Sequence, residues 1–286
     1  MKPSAFQYER PEDLQAALAL LASGEDTRIL AGGQSLVPMM NYRLAQPDVL
    51  VDINRLSELD YIKDDGDVIA IGALARHAAI KSSSLIQAHL PIIAEAYSWI
   101  AHAAVRNRGT LCGNLCHADA ASEMPAIMQI LEAEMVVSKV GSNRTVAARD
   151  FFVGVYETTI EADEILTEVR LPKPGAGTGW GFEEVAMRRG DYAWCTVVAT
   201  LRLSDGRIAE PRIALAGVED CATRLAAAET ALKGQAPNAS LFDDVAEAAA
   251  KATRPSASAT SDAAYKRDLV RALLPRVLND AVARST

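Results

Sequence analysis

The chain has 286 residues, half of them apolar, 23% charged and 5% aromatic, with a formal net charge of −8; this is enough for a buried core and two or three structural units. The acidic balance, with no basic patch, argues against a nucleic-acid or anionic-membrane role. No apolar run approaches the roughly 20 residues that cross a bilayer, Met1–Phe6 lacks a signal-peptide core, and four cysteines make no disulfide framework, so a cytoplasmic protein without membrane insertion is expected.

In chain order, Pro11-Glu12-Asp13 opens a helix that runs through Leu14, Ala17, Leu18 and Leu21 and ends before Gly24. Arg28 to Ala31 reads as a short strand entering a Gly32-Gly33 turn, and Val49 to Ile53 as another strand. Tyr61-Ile62-Lys63 and Val68 to Ile71 flank Asp64-Asp65-Gly66, a hairpin signal. The apolar spacing from Pro91 to Val105 predicts one helix, and Glu123-Met124-Pro125 starts another through Ile127, Ile130 and Leu131. Met135-Val136-Val137 and Arg144-Thr145-Val146 form a second hairpin around Gly141-Ser142-Asn143, and Glu164 to Leu171 alternates like a strand. Pro172 to Gly177 marks a domain boundary. Beyond it come strands at Cys195–Leu203 and Arg212–Val218 around an Asp205-Gly206 turn. Helices follow at Ala222–Leu232 and Leu241–Ala252, then a Ser/Ala loop at Pro255–Ser261 and a last amphipathic helix at Lys266–Val282.

Two segments carry most of the chemistry. Thr27 to Ser35 ends in Ala31-Gly32-Gly33-Gln34-Ser35, and Arg106 to Asn114 ends in Thr110-Leu111-Cys112-Gly113-Asn114. Glycine permits a positive φ or a close approach to the backbone, and turns of this kind present N–H groups to phosphate. Alone, the first segment reads equally well as a tight strand-to-loop turn; two such segments point to a diphosphate held from both sides. Glu123 fits a ribose-contacting carboxylate or an acidic first-turn residue of a helix. Arg188-Arg189-Gly190-Asp191-Tyr192-Ala193 reads as an exposed loop whose Tyr192 stacks on a ring or lies at an interface. There is no G-x-G-x-x-G, P-loop lysine or G-x-S-x-G, the four histidines lack metal or triad spacing, and Cys112 and Cys116 are too few for an iron–sulfur cluster. His102 is expected on the helix before the second segment, in a structural role.

The order of the AGGQS turn, the segment Ala104–Asn114, the segment Ala118–Ala126 (ADAASEMPA) and the RRGDYA loop resembles the FAD-binding medium subunits of the molybdenum hydroxylases. That family includes xanthine dehydrogenase, carbon-monoxide dehydrogenase and the N-heteroaromatic hydroxylases, and the likeness spans nearly the whole chain. It implies an α+β fold: a two-subdomain FAD unit of the PCMH (vanillyl-alcohol-oxidase-like) type, followed by a C-terminal α/β domain with an antiparallel sheet and helices. The implied boundaries are 1–60 and 61–174 for the FAD subdomains and 175–286 for the C-terminal domain. By position it places Arg28, Ile29, Leu30, Ala31, Gly32, Gly33, Gln34, Ser35 and Leu36 around the diphosphate. Ile100, Ala101 and Val105 would line the adenine or ribityl side, and Thr110, Gly113 and Asn114 would form a second clamp. Glu123 would contact ribose, Leu166 an apolar part near the flavin, and Tyr192 the isoalloxazine.

The resemblance further implies an oxidoreductase subunit with no metal and no catalytic residue of its own beyond FAD. Electrons would arrive from two 2Fe–2S clusters on a small subunit, fed by the molybdenum cofactor of a large subunit, and leave to an external acceptor. The assembly would be a dimer of heterotrimers, with an N-heteroaromatic compound as its substrate. Two departures stand out. Cys112 occupies a usual glycine position, so either the turn differs or the thiol points away from the phosphates. Glu184 stands where relatives often carry a lysine, which puts reduction of NAD in doubt. The alternatives are a stand-alone FAD oxidase of the same fold and a non-redox scaffold.

Overall fold

The structure is a computed structural model that describes residues 1–256 and 261–285. Its first unit contains β1 (Gln7–Glu9), α1 (Leu14–Leu21), β2 (Thr27–Leu30), α2 (Leu36–Asn41) and β3 (Val49–Asp52). The strands form a parallel sheet in the order β1-β3-β2. Val49, Leu50 and Val51 are all buried, the continuous apolar run of a central parallel strand. The polar β1 carries no such pattern and escapes sequence reading. The first helix starts at Leu14 rather than Pro11, because Asp13 stays extended as its cap and accepts from the Ala16 N–H at 2.8 Å.

The second unit opens with the hairpin β4 (Ile62–Asp65) and β5 (Val68–Gly72). Six helices follow: α3 (His77–Ser82), α4 (Ser84–His89), α5 (Pro91–Ala96), α6 (Ala103–Arg106), α7 (Leu111–His117) and α8 (Glu123–Ile130). Then come β6 (Glu134–Lys139), β7 (Ser142–Ala147), α9 (Ala148–Phe151), the short β8 (Phe152–Gly154) and β9 (Glu157–Thr158), and β10 (Ile165–Pro172). The main sheet is antiparallel, in the order β4-β5-β10-β6-β7.

Three expectations fail in this unit. The single helix predicted over Pro91–Val105 is broken between α5 and α6, and Ala101 adopts φ +48. The Arg106 guanidinium takes the carbonyls of Ile100 at 2.8 Å and Ala101 at 2.6 Å, so these carbonyls are held outside any helical ladder. His102 therefore precedes α6 as an extended, exposed residue instead of lying on a helix. The Gly113-Asn114 stretch is helical rather than a turn: Thr110 caps α7, its Oγ1 accepting from the Gly113 N–H at 3.1 Å.

The third unit contains β11 (Thr178–Ala186), β12 (Ala193–Ser204), β13 (Arg207–Ala216), β14 (Thr223–Arg224), α10 (Ala226–Leu232), α11 (Ala239–Ala252) and α12 (Ala263–Ala283). Its antiparallel sheet runs β11-β12-β13-β14. β11 is invisible to propensity because Gly179 and Gly181 interrupt it. A Cβ at either position would collide with the carbonyls of Ala281 and Val277, so the glycines let α12 lie directly on the strand. Asp205 and Gly206 both have positive φ, as a two-residue hairpin turn requires. The helix predicted from Ala222 begins at Ala226, because Thr223 and Arg224 pair with β13 first. Within the Ser/Ala loop at 255–261, residues 257–260 lie outside the described residues.

The third sheet is covered on both faces. Val198, Ala214 and Ala216 join the core of the second unit, whereas Cys195, Val197, Ala199 and Leu201 pack on Phe242, Val270, Leu274 and Val277 of α11 and α12. Among the described residues, no helix is long and apolar enough to cross a membrane, and no cluster of side chains could hold a metal ion.

Candidate cofactor site

The first segment leaves β2 at Leu30 and turns at Gly33, φ +70, before α2. Arg28 is exposed on the strand, Ile29 and Leu30 are half-buried, and Leu36 starts α2. Among the described residues, the N–H groups of Gly33, Gln34 and Ser35 donate to no acceptor, while the carbonyls of Gly33 and Ser35 are taken by Val37 and Met39. The turn is an array of unused donors, the inverse of what a merely structural turn needs.

This array touches the second segment. A Cβ at Gly32 would lie 2.5 Å from the Arg108 carbonyl oxygen and 2.6 Å from Gly109 Cα. The two motifs, eighty residues apart, therefore meet backbone to backbone, and only glycine allows it. In the second segment Thr110 pairs with Arg76 in an isolated antiparallel bridge, and Thr110, Leu111 and Cys112 are buried at the start of α7.

A set of polar side chains that sequence reasoning missed locks this contact. Asn54 donates Nδ2 to the carbonyl of Ala31 at 2.8 Å, and Asp52 accepts from the Asn54 backbone N–H at 2.9 Å. Arg76 donates one guanidinium nitrogen to Asn54 Oδ1 at 2.6 Å and the other to the Arg108 carbonyl at 2.7 Å. Tyr8 donates to the far side of Asp52. One chain of hydrogen bonds thus runs from the first turn to the second. The available signal was positional: Asn54 follows the carboxyl end of a parallel strand, where such sheets place ligands. Arg76 had no local signal.

His77 is buried under the second turn. Its N–H donates to the Gly109 carbonyl at 3.0 Å, its ring would lie 2.7 Å from a Cβ at Gly109, and Nδ1 lies 3.1 Å from the Tyr97 hydroxyl. Burial, helped by the positive Arg106 and Arg76, lowers its pKa to about 4, so it is neutral at pH 7.

The other expected positions gather around the same place with one exception. Ile100, Ala101 and Val105 form the arm leading into the second turn, and the Val105 carbonyl accepts from the Gly109 N–H at 2.7 Å. Gly113 is exposed, and half-buried Asn114 exchanges hydrogen bonds with Ser122 at 2.8 and 3.1 Å, tying α7 to the start of α8. Glu123, the first residue of α8, is buried. Leu166 is the exception: it sits in the core on β10, the strand on which α7 packs, and belongs to the floor rather than to the turns. Cys112 resolves its own puzzle. Its side chain is 2% exposed and points into the core with Leu111 and Leu115, and burial pushes its thiol well above the usual range. The sulfur lies in the core rather than at the surface of the segment.

The RRGDYA loop closes the arrangement from the third unit. Arg189 donates to the Ser98 carbonyl at 2.8 Å and lies 5.0 Å over the Trp99 ring, and Gly190, φ +92, passes against Ala101 and His102. Tyr192 and Tyr156 are 62% and 55% exposed; the Tyr156 hydroxyl donates to the Asp119 carboxylate at 3.2 Å, and Tyr192 faces the same carboxylate. The Tyr156 ring packs 4.9 Å from His117, and the Tyr192 ring stands exposed.

Backbone N–H groups, the Gln34 amide and the Ser35 and Thr110 hydroxyls suit phosphate oxygens, and exposed tyrosine rings suit a flat heterocycle. A dinucleotide fits this donor set. Comparison with known proteins agrees. Residues 4–174 match the family model described as the FAD binding domain in molybdopterin dehydrogenase, and residues 180–281 match the CO dehydrogenase flavoprotein C-terminal domain. The chain is 40% identical over 289 residues to the nicotine 6-hydroxylase medium subunit of Paenarthrobacter nicotinovorans, covering all of both chains. Its fold matches a chain of carbon monoxide dehydrogenase from Hydrogenophaga pseudoflava with a TM-score of 0.97, at 40% identity and full coverage of both. It also matches a chain of quinoline 2-oxidoreductase from Pseudomonas putida 86 with a TM-score of 0.95, at 38% identity over 100% of this chain and 99% of that one. The chain belongs to the FAD-binding medium subunits of the molybdenum hydroxylases, a family of oxidoreductases.

Proposed function

We propose that this chain holds one FAD across its two glycine segments and relays electrons. They would come from the 2Fe–2S clusters of a small partner subunit, which are supplied by a molybdenum-bearing large subunit, and pass to an external acceptor. The observation that carries this reading is the backbone contact of Gly32 with Arg108 and Gly109, flanked by the unused N–H donors of Gly33, Gln34 and Ser35. The first turn binds one side of the diphosphate through Gly33, Gln34 and Ser35, and the second binds the other through Thr110 and the first turn of α7. Residues 1–60 and 61–174 would act as the two cofactor subdomains and 175–286 as a cap that brings Tyr192 to the flavin. Bound FAD supplies the redox chemistry; the protein supplies position and electrostatics. The names of the nicotine and quinoline relatives support an N-heteroaromatic substrate for the assembled dimer of heterotrimers.

The test is the flavin's visible absorbance. In the purified complex it should bleach on adding the substrate of the large subunit and recover with an external acceptor. The isolated chain should keep its spectrum when offered the same substrate. Bleaching of the isolated chain by a small substrate would instead identify a stand-alone oxidase.

A further inference from the structure

Glu123 and Glu184 meet between the second and third units. Glu123 starts α8, Glu184 lies on β11, and they are 6% and 4% exposed. Thr196, opposite Glu184 in the sheet, donates its hydroxyl to Glu184 Oε2 at 3.2 Å. Glu184 Oε1 is fully buried and receives no N–H or hydroxyl. The remaining hydrogen-bond partner of the Glu184 side chain is the carboxyl of Glu123. Neither carboxyl has an ion-pair partner among the described residues.

Two carboxylates have no proton to donate to each other, and two such charges in contact, buried without a cation, are strongly disfavoured. One proton removes both problems: the Glu123 O–H donates to Glu184, and Glu184 keeps the charge solvated by Thr196. The surroundings offer no competing counter-charge. Asp119 before α8, Tyr97 after α5 and Tyr192 before β12 face Glu123, and Cys195 of β12 faces Glu184. Lys266 of α12 faces Cys195 and Asp220. Burial pushes both carboxyls of the pair upward, in the direction of a retained proton.

We propose that Glu123 and Glu184 share a single proton, and that the pair positions the start of α8 against the C-terminal sheet so that FAD affinity falls when the proton leaves. The cofactor half rests on the FAD site proposed above. Loss of the proton places a second negative charge next to Ser122, which is tied to Asn114 of the second segment, and breaks the hydrogen bond between the two carboxyls. Binding should therefore be tightest at low pH and weaken as pH rises through the raised carboxyl range.

Two measurements on the full-length chain separate the two halves. Without FAD, infrared difference spectra at neutral pH should show a protonated-carboxyl C=O band that disappears in Glu123→Gln and in Glu184→Gln, because the amide then supplies the donor and the remaining carboxyl ionises. A band unchanged in both variants would overturn the shared proton. With FAD, the dissociation constant of the wild type should rise about tenfold for each unit by which FAD binding raises the pKa of the pair. Glu184→Gln, which retains a hydrogen bond but cannot titrate, should show a flat profile. Parallel pH profiles would overturn the coupling. Absence of FAD binding at every pH would overturn the coupling together with the cofactor site, while the infrared result would still decide the shared proton.

Discussion

At the scale of single residues, the site depends on places where a side chain is missing. Gly32 has no room for a Cβ against the backbone of Arg108 and Gly109, and backbone cannot swing aside as a flexible side chain can. Gly32→Ala should force the segments apart at a cost of about 1–3 kcal/mol, read as at least a tenfold loss of FAD affinity in a chain that still folds. Wild-type affinity in that variant would remove the contact from the account. Gly33→Val should also lose flavin, since φ +70 is strained for valine and its side chain would crowd the donors. The glycine turn at Gly33 and the exposed loop at 188–192 were legible because turn and loop chemistry have local signatures. Asn54, Arg76 and His77 were not: an ordinary polar residue gains its role only from a partner dozens of positions away, as when Arg76 reaches the carbonyl of Arg108.

His77 also carries a pH dependence. Its folded pKa of about 4 lies below the ordinary histidine value, so its contribution to stability is fully present above about 6.5 and fades as pH falls toward 4. The protonated ring would have to enter a buried site beside two arginines. The loss is of order 3 kcal/mol at most, at ~1.4 kcal/mol per pKa unit. Urea unfolding of wild type at pH 7 and near pH 4.5, beside His77→Phe, measures it; an equally steep acid limb in the variant would assign the effect elsewhere.

At the scale of elements, the strands with clean patterning were readable and those shaped by neighbours were not. The two hairpins of the second unit announce themselves through Gly66 and Gly141, although the turns fall at 66–67 and 140–141 and the neighbouring Asp64, Asp65, Ser142 and Asn143 belong to the strands, and β3 through its apolar run. β11 carries glycines because α12 rests on it, and α5 stops short because Arg106 captures carbonyls beyond its end. Both causes lie outside the segment they shape. The linker from Asn54 through Arg76 to Arg108 is likewise a device between elements. Arg76→Ala should cost about 1.5–3 kcal/mol of charged hydrogen bonding and loosen the cofactor site more than the fold. Thermal unfolding without FAD should then fall by less than FAD-saturated unfolding, and equal decreases would show that Arg76 merely supports the fold.

At the scale of the whole molecule, the third unit packs against the second rather than standing apart from it. The Gly217 N–H donates to the Ala120 carbonyl at 2.7 Å, Gln129 reaches the Ala222 carbonyl at 2.9 Å, and Glu132 ion-pairs with Arg212 and Arg224. These contacts surround α8, which carries Glu123, while Arg189 on Ser98 and Trp99 holds the RRGDYA loop over the break after α5. The sequence placed a boundary near Pro172 but could not show that the sheet beyond it shares a core with the unit before it, since Val198 and Ala214 look like any buried strand residues.

The central claim is that two distant glycine segments form one FAD site. Calorimetric titration of the apo chain with FAD, in wild type and Gly32→Ala, tests it most directly. The account predicts stoichiometric binding to the wild type and binding at least tenfold weaker, about 1.4 kcal/mol, in a variant with an unchanged far-UV spectrum. Failure of the wild type to bind, or equal affinity in the two proteins, would contradict it.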